Sequence, residues 1–449
     1  MAPGATLEED NNNPTTSFPQ YLSDLDLSFT SSSASTSSFA TTFGGGPSSA
    51  RSSLSLTLPS SSSSSSLNPL PHRRLDPHWS ALRAASNLSP DGALHLRNLK
   101  LLRHIGSGNL ARVFHCRLHG FDHLDFALKV VDLDATKSAL SHVRAEAHVL
   151  ARLDHPFLPT LYARLDASHY ACFLIDYCPG GDLHSILRHH PSHRLPLSAV
   201  KFYAAEVLLA LEYLHALGFV YRDLKPENVL LRSDGHVMLS DFDLCFHSDV
   251  SPVLHRRSRG RDAVELEFVA EPESAFSRAC VGTHEYLPPE IVGGSGHGNG
   301  VDWWAFGVFI YELIYGRTPF KGGSKEATLK NILSREVGFP DAGADQRRAV
   351  VTARDLISRL LERDPRRRMG SVKGATEIKR HPFFHGVSWA LIRMMKPPVV
   401  VGHAGSSVRR KVSRERKRWW TWKWSSCNSK RNDKIVVYRK KVKEMKGKQ

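Results

Sequence analysis

Residues 221–228 read Tyr-Arg-Asp-Leu-Lys-Pro-Glu-Asn, and this stretch decides how the rest of the chain is interpreted. Its polar side chains suit phosphoryl transfer, which needs phosphates held still, their charge neutralised and an acceptor hydroxyl oriented. Asp223 would accept or orient the hydroxyl proton, and Lys225 would neutralise the transferred group. Asn228 would supply an oxygen to a metal ion. Because this string is highly specific, we predict Asp223 and Lys225 as the catalytic residues.

A second acidic motif, Asp-Phe-Asp at residues 241–243, follows an apolar, strand-like segment at residues 236–240. Asp241 is the expected main ligand of Mg²⁺, because that ion prefers hard oxygen ligands. A solvated loop acid is the alternative, and the position of the motif after Asn228 argues against it. We therefore predict Asn228 and Asp241 as the metal ligands.

A glycine-containing turn, Gly-Ser-Gly-Asn-Leu-Ala-Arg-Val at residues 106–113, follows an apolar strand. Glycine lets a backbone turn close over phosphates without a Cβ collision. Taken alone, the motif fits an ordinary hairpin turn equally well. Its place upstream of the other motifs is what favours a phosphate-binding loop.

A single lysine, Lys129, lies in the otherwise apolar run at residues 126–130. A buried lysine is costly unless it is paired, and Glu146, in a helical stretch, is the natural partner. The pair would aim the ammonium group at the α- and β-phosphates of ATP. An ordinary surface glutamate is the alternative interpretation of Glu146.

Hydrophobic periodicity outlines the globular part of the chain. Short apolar alternations predict a strand-rich region over residues 99–133. Apolar spacing over residues 198–217 predicts a long core helix, and residues 303–315 indicate a second buried helix. The globular pattern begins near Leu99 and fades after about Pro398.

The chain carries a formal charge of +16, and most of it lies in the tail. Residues 402–449 hold 17 Lys/Arg and 3 Asp/Glu, a net charge of +14 that leaves +2 for all preceding residues. Six scattered cysteines without paired metal-ligand spacing are typical of reduced thiols in a cytosolic or nuclear protein. No apolar run approaches the roughly 20 residues that a membrane span needs.

The residues from Leu99 to about Pro398 resemble the AGC class of protein kinases, on the motifs above and on the segment at residues 282–290. The Asp-Phe-Asp triplet and an insert before residue 282 resemble the plant AGC VIII group. A closer resemblance to the WAG kinases, relatives of PINOID, rests on four short stretches. They are residues 21–30, 166–170, 243–246 and 418–420.

The resemblance implies an α+β, bilobal protein kinase fold with a β-rich small lobe and a helical large lobe. It implies a serine/threonine protein kinase that uses ATP and Mg²⁺, with PIN auxin efflux carriers as substrates and a role in auxin transport and signalling. It also implies which residues bind ATP. They are Ile105, Gly106, Ser107, Gly108, Asn109, Val113, Ala127, Lys129, Glu146, Asp176, Cys178 and Asp182.

In AGC kinases, three acidic residues bind arginines upstream of the target serine, and the matching positions here are Asp182, Glu227 and Glu312. Pairing of carboxylate with guanidinium is strong and directional. We therefore expect a basic-flanked Ser/Thr site in the substrate. The alternative is that Glu227 and Glu312 serve the internal fold.

Two residues depart from the common kinase pattern. Asp243 stands where most kinases have glycine, and aspartate tolerates unusual backbone angles less well. We therefore expect residues 241–243, called here the metal loop, to be less mobile than in those kinases. Ala279 occupies the position that AGC kinases usually phosphorylate. Ser277 or Ser274 would substitute for it, or the loop is active unmodified.

Two further residues are expected to stabilise the fold and to take no part in the chemistry, since Glu290 would form a buried pair with Arg368 in the large lobe.

The chain divides into three predicted regions. Residues 1–75 are a Ser/Thr-rich segment that we expect to be disordered, because it lacks apolar residues to bury. Residues 99–384 form the catalytic domain, with an insert at residues 247–278 that we expect to be a solvated loop. A targeting or regulatory insert is the alternative. Residues 385–449 form a C-terminal extension that ends in the basic tail.

The tail combines basic residues with Trp419, Trp420, Trp422 and Trp424. Basic residues near anionic lipid contribute about 1 kcal/mol each, and tryptophan prefers the interface. We expect the tail to hold the chain at a membrane by binding anionic lipids. The resemblance implies that this membrane is the plasma membrane, at its cytoplasmic face, besides cytoplasmic and nuclear pools. A nuclear-import or nucleic-acid patch is the competing and less favoured interpretation. We expect a monomer, and the rival to an active kinase is a catalytically weak scaffold anchored by this tail.

Overall fold

The small lobe is one antiparallel sheet that carries two helices. A computed structural model describes residues 71–108, 110–135, 139–167, 169–258, 264–340 and 344–398. Within these ranges the sheet has five strands in the order β1-β2-β3-β5-β4. The strands are β1 (Leu99–Ser107), β2 (Ala111–Leu118), β3 (Phe121–Asp132), β4 (Leu161–Ala167) and β5 (Tyr170–Asp176). The predicted strand-rich region is confirmed.

Helix α1 (Pro77–Asn87) packs on this sheet, so the expectation that globular structure begins near Leu99 is wrong. The helix is capped at its N-terminus, because the Asp76 carboxylate accepts a hydrogen bond from the backbone N–H of His78. Trp79 and Leu82 are buried against the small-lobe core. A short helix with few large apolar residues gives a weak periodic signal, which explains why α1 was not predicted from the sequence.

Helix α2 (Ala139–Leu150) crosses the other side of β3 and brings Glu146 to Lys129. The run from Phe126 to Val131 is therefore buried continuously rather than on alternate residues. Burial on both faces explains why this strand reads as an apolar run. The predicted helical setting of Glu146 is confirmed.

The large lobe is built from helices around two buried ones. The helices are α3 (Leu183–His189), α4 (Leu197–Ala216), α5 (Pro289–Gly293), α6 (Gly300–Tyr315), α7 (Lys325–Ser334), α8 (Ala344–Leu360) and α9 (Gly374–Lys379). Helices α4 and α6 are apolar on nearly all sides, as expected of helices at the centre of a lobe. Both predicted core helices are confirmed, and with them the bilobal α+β fold.

Two small strand pairs hold the predicted catalytic segments between the lobes. They are β6 (Phe219–Val220) with β9 (Phe246–His247), and β7 (Val229–Leu231) with β8 (Val237–Leu239). Residues 221–228 connect β6 to β7, and residues 241–243 lie between β8 and β9. Backbone pairing on either side thus fixes both segments next to each other.

The predicted solvated insert contains a β-hairpin, so the expectation of a loop is wrong. Strands β10 (Val253–Ser258) and β11 (Val264–Val269) pair antiparallel. Glu267 and Glu271 are buried at the base of the hairpin, and Lys373 donates a hydrogen bond to Glu267 at 3.0 Å. Arg259 and Arg261 lie outside the described residues.

The start of the C-terminal extension packs back on the large lobe. Trp389 contacts Phe384, and Arg393 pairs with Asp234 at 2.5 Å. No helix in the described ranges is long and apolar enough to cross a membrane. The tail from residue 399 onward, with its four tryptophans, lies outside the described residues, as do residues 1–70.

Candidate active site

Asp302, in the first turn of α6, holds the start of the catalytic segment, which comprises residues 221–228. Its fully buried carboxylate accepts hydrogen bonds from the backbone N–H groups of Tyr221 and Arg222, both at 2.7 Å. Arg222 adopts a left-handed backbone conformation with φ of 66°. Such a conformation costs energy in a residue other than glycine, and the two bonds to Asp302 help to hold it.

Asp223 and Lys225 lie together with Asn228 at the end of this segment. The Lys225 ammonium donates to Asp223 Oδ2 at 2.6 Å, and the Asn228 amide donates to the same oxygen at 2.9 Å. The Thr283 hydroxyl donates to Asp223 Oδ1 at 3.0 Å. Burial raises the pKa of Asp223, and Lys225 opposes that rise. A raised pKa makes the carboxylate a better proton acceptor.

Lys129 joins helix α2 to the metal loop. Its ammonium donates to Glu146 Oε1 at 2.5 Å and to Asp241 Oδ1 at 2.8 Å. Burial disfavours the charge on Lys129, but the two carboxylates outweigh it and raise the lysine pKa. Burial raises the pKa of Glu146 to about 7, more than Lys129 lowers it. Desolvation by the surrounding protein would raise the pKa of Asp241, but the charge of Lys129 outweighs it and holds that pKa below its ordinary value. The expected Lys129–Glu146 pair is thus present.

The donor set of Asp241 and Asn228 fits a magnesium ion. The Asp241 side chain remains 46% exposed while it binds Lys129 through Oδ1, so a metal can reach it. In the described part of the chain no group of three His, Cys, Asp or Glu residues forms a self-contained metal site. Mg²⁺ usually binds to one or two protein oxygens together with substrate phosphates. The two residues match that requirement.

Asp243 gives the metal loop a contact that glycine cannot make. The Asp243 backbone carbonyl lies 3.2 Å from His142 Nδ1, and its carboxylate lies 3.5 Å from the same nitrogen. The hydrogen bond to Asp243 raises the pKa of His142. His142 and Glu146 are four residues apart and share one face of α2. The helix therefore touches the metal loop at two levels, through His142 and, by way of Lys129, through Glu146.

The glycine turn joins β1 and β2 and leaves space above it. The Gly108 N–H donates to the Ala111 carbonyl at 2.8 Å. A Cβ at Gly106 would meet nothing within 4 Å, and one at Gly108 would meet a single oxygen at 3.9 Å. This space suits phosphates. Val113 pairs with Gly106 in β1 and with Lys129 in β3, whereas Asn109 lies outside the described residues.

The other predicted ATP-binding residues differ in how far they are buried and in whether their side chains already have partners. Ile105 is half-buried in β1, and Ala127 is buried in β3. Cys178 follows β5, and its thiol lies 3.6 Å from the Met238 sulfur. The Asp182 carboxylate caps α3, because it accepts hydrogen bonds from the N–H and the hydroxyl of Ser185.

Asp176, also predicted to bind ATP, directs its carboxylate elsewhere. One oxygen binds Arg73 at 2.6 Å, and the other accepts the N–H of Thr160 at 2.7 Å. Any contact of Asp176 with the nucleotide would therefore come from its backbone. Arg73 was not predicted as a functional residue, since it falls in the segment that was expected to be disordered and no local motif marks it.

Two of the three predicted arginine-binding acids lie near each other. Glu227 lies 3.2 Å from His184, and Glu312 accepts a hydrogen bond from the Tyr286 hydroxyl at 2.5 Å. Burial raises the pKa of Glu312 to about 7, the Tyr286 bond opposes the rise, and the charges of Glu227 and Glu285 add to it. Each acid thus has an internal partner, yet the pair retains an excess of negative charge.

The stretch between residues 244 and 281, called here the activation segment, contacts the catalytic segment through Arg222. Its guanidinium donates to the Leu244 carbonyl at 2.7 Å and to the Ser277 hydroxyl at 3.2 Å. It also stacks over Phe246 at 4.6 Å. Ala279 has no hydroxyl to modify, and Ser277 is the neighbouring serine that touches the catalytic segment.

The expected scaffold pair, Glu290 with Arg368, is present. Arg368 donates to both oxygens of Glu290, at 2.7 and 2.9 Å, and both side chains are buried. A two-point, charge-assisted bond of this kind fixes orientation as well as distance. It ties the segment at residues 282–290 to the base of the large lobe.

Comparison with known proteins matches residues 99–384 to the protein kinase domain family. The chain is 56% identical over 384 residues to serine/threonine-protein kinase WAG1 of Arabidopsis thaliana, covering 78% of this chain and 80% of that protein. It is 59% identical over 357 residues to WAG2 of the same plant, covering 73% of each chain. It is 50% identical over 363 residues to protein kinase PINOID of Oryza sativa subsp. japonica, covering 74% of this chain and 75% of that protein.

Proposed function

Since the chain belongs to the protein kinase family, in the plant AGC VIII group of WAG- and PINOID-like serine/threonine kinases, we propose that it phosphorylates PIN-type auxin efflux carriers. The target would be a serine or threonine preceded by arginine. Through such targets the kinase would regulate polar auxin transport. The general activity, transfer of phosphate from ATP to a protein hydroxyl, follows from the family.

The observation that carries the mechanism is that Lys129 and Asp241 lie close to Asp223 and Lys225: the charge of Lys225 helps to lower the pKa of Asp241, and the charge of Asp241 helps to raise the pKa of Asp223. Lys129 is held by Glu146 at 2.5 Å and reaches Asp241 at 2.8 Å. Asp223, Lys225 and Asn228 are mutually bonded on the large-lobe side. Positioning and electrostatics of this kind are what phosphoryl transfer requires.

In the reaction, Asp223 accepts the proton of the substrate hydroxyl, whose oxygen forms a bond to the γ-phosphorus. The bond between that phosphorus and the bridging oxygen breaks, and ADP leaves. Lys225 balances the negative charge of the transferred group, and Lys129 orients the other phosphates. Asp241 and Asn228 would hold Mg²⁺, which when bound neutralises phosphate charge.

Glu227 and Glu312 support the proposed preference for arginine. Their charges are close enough for Glu227 to raise the pKa of Glu312. A guanidinium placed between them would relieve that repulsion and pair with both carboxylates. Asp182 contributes less, because its carboxylate already caps α3.

We propose a peripheral location at the plasma membrane, and the composition of the tail supports binding to an anionic membrane surface. Residues 402–449 hold 17 basic and 3 acidic residues together with four tryptophans, a combination that suits anionic lipid. Flotation of the full chain with phosphatidylserine liposomes, set against a gel shift with duplex DNA, separates lipid from nucleic acid as the ligand. A chain without residues 402–449 is the control, and sizing of the same samples tests the expected monomer.

The substrate proposal is tested with the hydrophilic loop of a PIN carrier. Wild-type enzyme is expected to phosphorylate it, whereas Asp223→Asn and Lys129→Arg enzymes do not. Replacement of the arginines upstream of the modified serine by alanine should raise KM. Equal background signal from all three enzymes would favour a scaffold, and activity on a basic peptide but not on the PIN loop would remove the PIN assignment alone.

A further inference from the structure

Glu271 connects the insert to the interior of the large lobe. It follows β11 by two positions and is only 7% exposed. Its Oε2 lies 2.7 Å from His215 Nδ1 and accepts a hydrogen bond from the Asn299 amide at 2.8 Å. The acid nearby, Glu273, is exposed. The insert therefore places one specific carboxylate against the end of α4.

His215 passes this contact on to the residue that holds the catalytic segment. Its other ring nitrogen, Nε2, lies 2.9 Å from Asp302 Oδ2, and neither side chain is exposed to solvent. Asp302 in turn accepts the backbone N–H groups of Tyr221 and Arg222. Three consecutive contacts thus lead from the insert to the segment that contains Asp223.

Both nitrogens of the His215 ring face carboxylates, so both must donate and the ring is the charged imidazolium. Burial opposes that charge, but Glu271 and Asp302 outweigh it and raise the pKa of His215 to about 10. A buried cation between two buried anions depends on both partners. Loss of the Glu271 carboxylate would therefore change the charge of the ring that contacts Asp302.

The surrounding backbone is shaped for this contact. A Cβ at Gly374 would lie 1.6 Å from Glu271 Oε1, and Gly374 has a left-handed φ of 53°. Glycine at the start of α9 therefore leaves the space that the carboxylate fills. The hairpin also has an independent anchor, since Glu267 pairs with Lys373 at 3.0 Å and with Arg380 without touching His215.

We propose that Glu271 is a positioning residue for phosphoryl transfer, which makes the catalytic segment depend on the docked insert through His215 and Asp302. The insert would then act as part of the catalytic scaffold. A partner or modification that displaces the insert would lower the turnover of the kinase. The proposal rests on the kinase activity of the family and not on the identity of the substrate.

The test compares Glu271→Gln with two matched controls on the same segment, Glu267→Gln and Glu273→Gln. Glu271→Gln keeps the shape of the side chain and removes its charge. We expect kcat on an arginine-flanked serine peptide to fall about 10- to 100-fold, as for a small misplacement of catalytic groups. KM for ATP should stay unchanged, because Lys129 is not in this chain of contacts. Both controls should keep kcat within about twofold of wild type.

A second readout separates positioning from mere anchoring. Nuclear magnetic resonance of the imidazole nitrogens should show His215 doubly protonated at neutral pH in wild type and in both controls, and singly protonated in Glu271→Gln. If Glu271→Gln does not fold, Gly374→Ala decides, because it displaces the carboxylate without changing a charge and should lower kcat similarly. An unchanged kcat in the folded variant, an unchanged His215, or an equal loss in Glu267→Gln would overturn the proposal. Wild-type activity on the peptide shows that the kinase assignment itself stands.

Discussion

Replacement of Lys129 by methionine should abolish most activity while the protein remains folded. Methionine keeps the length of the apolar stem and removes the ammonium that binds Glu146 and Asp241. Loss of one preorganised charged donor typically costs about 10²- to 10³-fold in kcat, or roughly 2.7–4 kcal/mol. We expect Lys129→Met to lose that much in kcat on an arginine-flanked peptide.

The stability of Lys129→Met should depend on pH in a defined direction. Burial raises the pKa of Glu146 from 4.5 to about 7 even with Lys129 present, and removal of the lysine would raise it further. At low pH Glu146 is then protonated and carries no charge in its buried position. As pH rises from 6 to 8, Glu146 must either ionise without a partner or keep its proton at a cost relative to the unfolded chain. The thermal midpoint of the variant, measured against wild type, should therefore fall over this range.

The size of that fall is bounded by the cost of an unpaired buried charge. Breaking a buried ion pair costs about 3–5 kcal/mol, but protonation of Glu146 at neutral pH avoids much of it. With roughly 2 °C lost per kcal/mol for a domain of this size, the thermal midpoint of Lys129→Met should lie less than about 6 °C below that of wild type at pH 6, and further below it at pH 8.

The assay measures peptide phosphorylation and thermal unfolding for wild type, Lys129→Met and Lys100→Met. Lys100 is the matched control, since it lies on β1 with its side chain 54% exposed. It should behave as wild type in both measurements. If Lys129→Met kept kcat within about threefold of wild type, or if Lys100→Met lost as much, the role assigned to Lys129 would be refuted.

Three further outcomes are expected. Arg368→Met should lower the free energy of unfolding by about 3–5 kcal/mol because it leaves the buried acid Glu290 unpaired. The control Arg366→Met removes an arginine that is 89% exposed and pairs with Asp364 at the surface, so its thermal midpoint should stay at that of wild type. Equal thermal midpoints for the two variants would contradict this. Glu312→Gln should raise KM for an arginine-flanked peptide about 10- to 100-fold, and wild-type KM should rise as pH falls through about 7 because Glu312 takes up a proton; a flat pH profile would argue against the arginine site. Arg73→Ala removes the 2.6 Å bond to Asp176, which lies in the strand that leads into the cleft. KM for ATP should therefore rise severalfold while kcat is retained. A change in kcat alone would count against a role of the Arg73–Asp176 bond in nucleotide binding.

The catalytic residues could be predicted because their contacts are local in sequence. Asp223, Lys225 and Asn228 lie within one short segment, and their mutual bonds follow from its single turn. The pairing of Lys129 with Glu146 spans 17 residues and follows from one buried lysine that needs a partner. Such contacts require only a strand, a helix or a turn to form as the pattern indicates.

Two other contacts could not be predicted, because their partners are distant and carry no motif. His215 and Glu271 are 56 residues apart, and Arg73 and Asp176 are 103 apart. The insert reads as charged and polar, so nothing in its composition marks Glu267 and Glu271 as buried. Their burial depends on α4 and α9 packing beside the hairpin, which is a property of the assembled lobe.

Calorimetric titration of ATP into the full chain, with and without Mg²⁺, tests the account most directly. We expect wild type to bind ATP with an affinity that Mg²⁺ increases, and Asp241→Asn to lose that increase while its fold is kept. Absence of Mg²⁺-dependent ATP binding in wild type, or an undiminished Mg²⁺ effect in Asp241→Asn, would contradict the assignment of this cleft as the site of phosphoryl transfer.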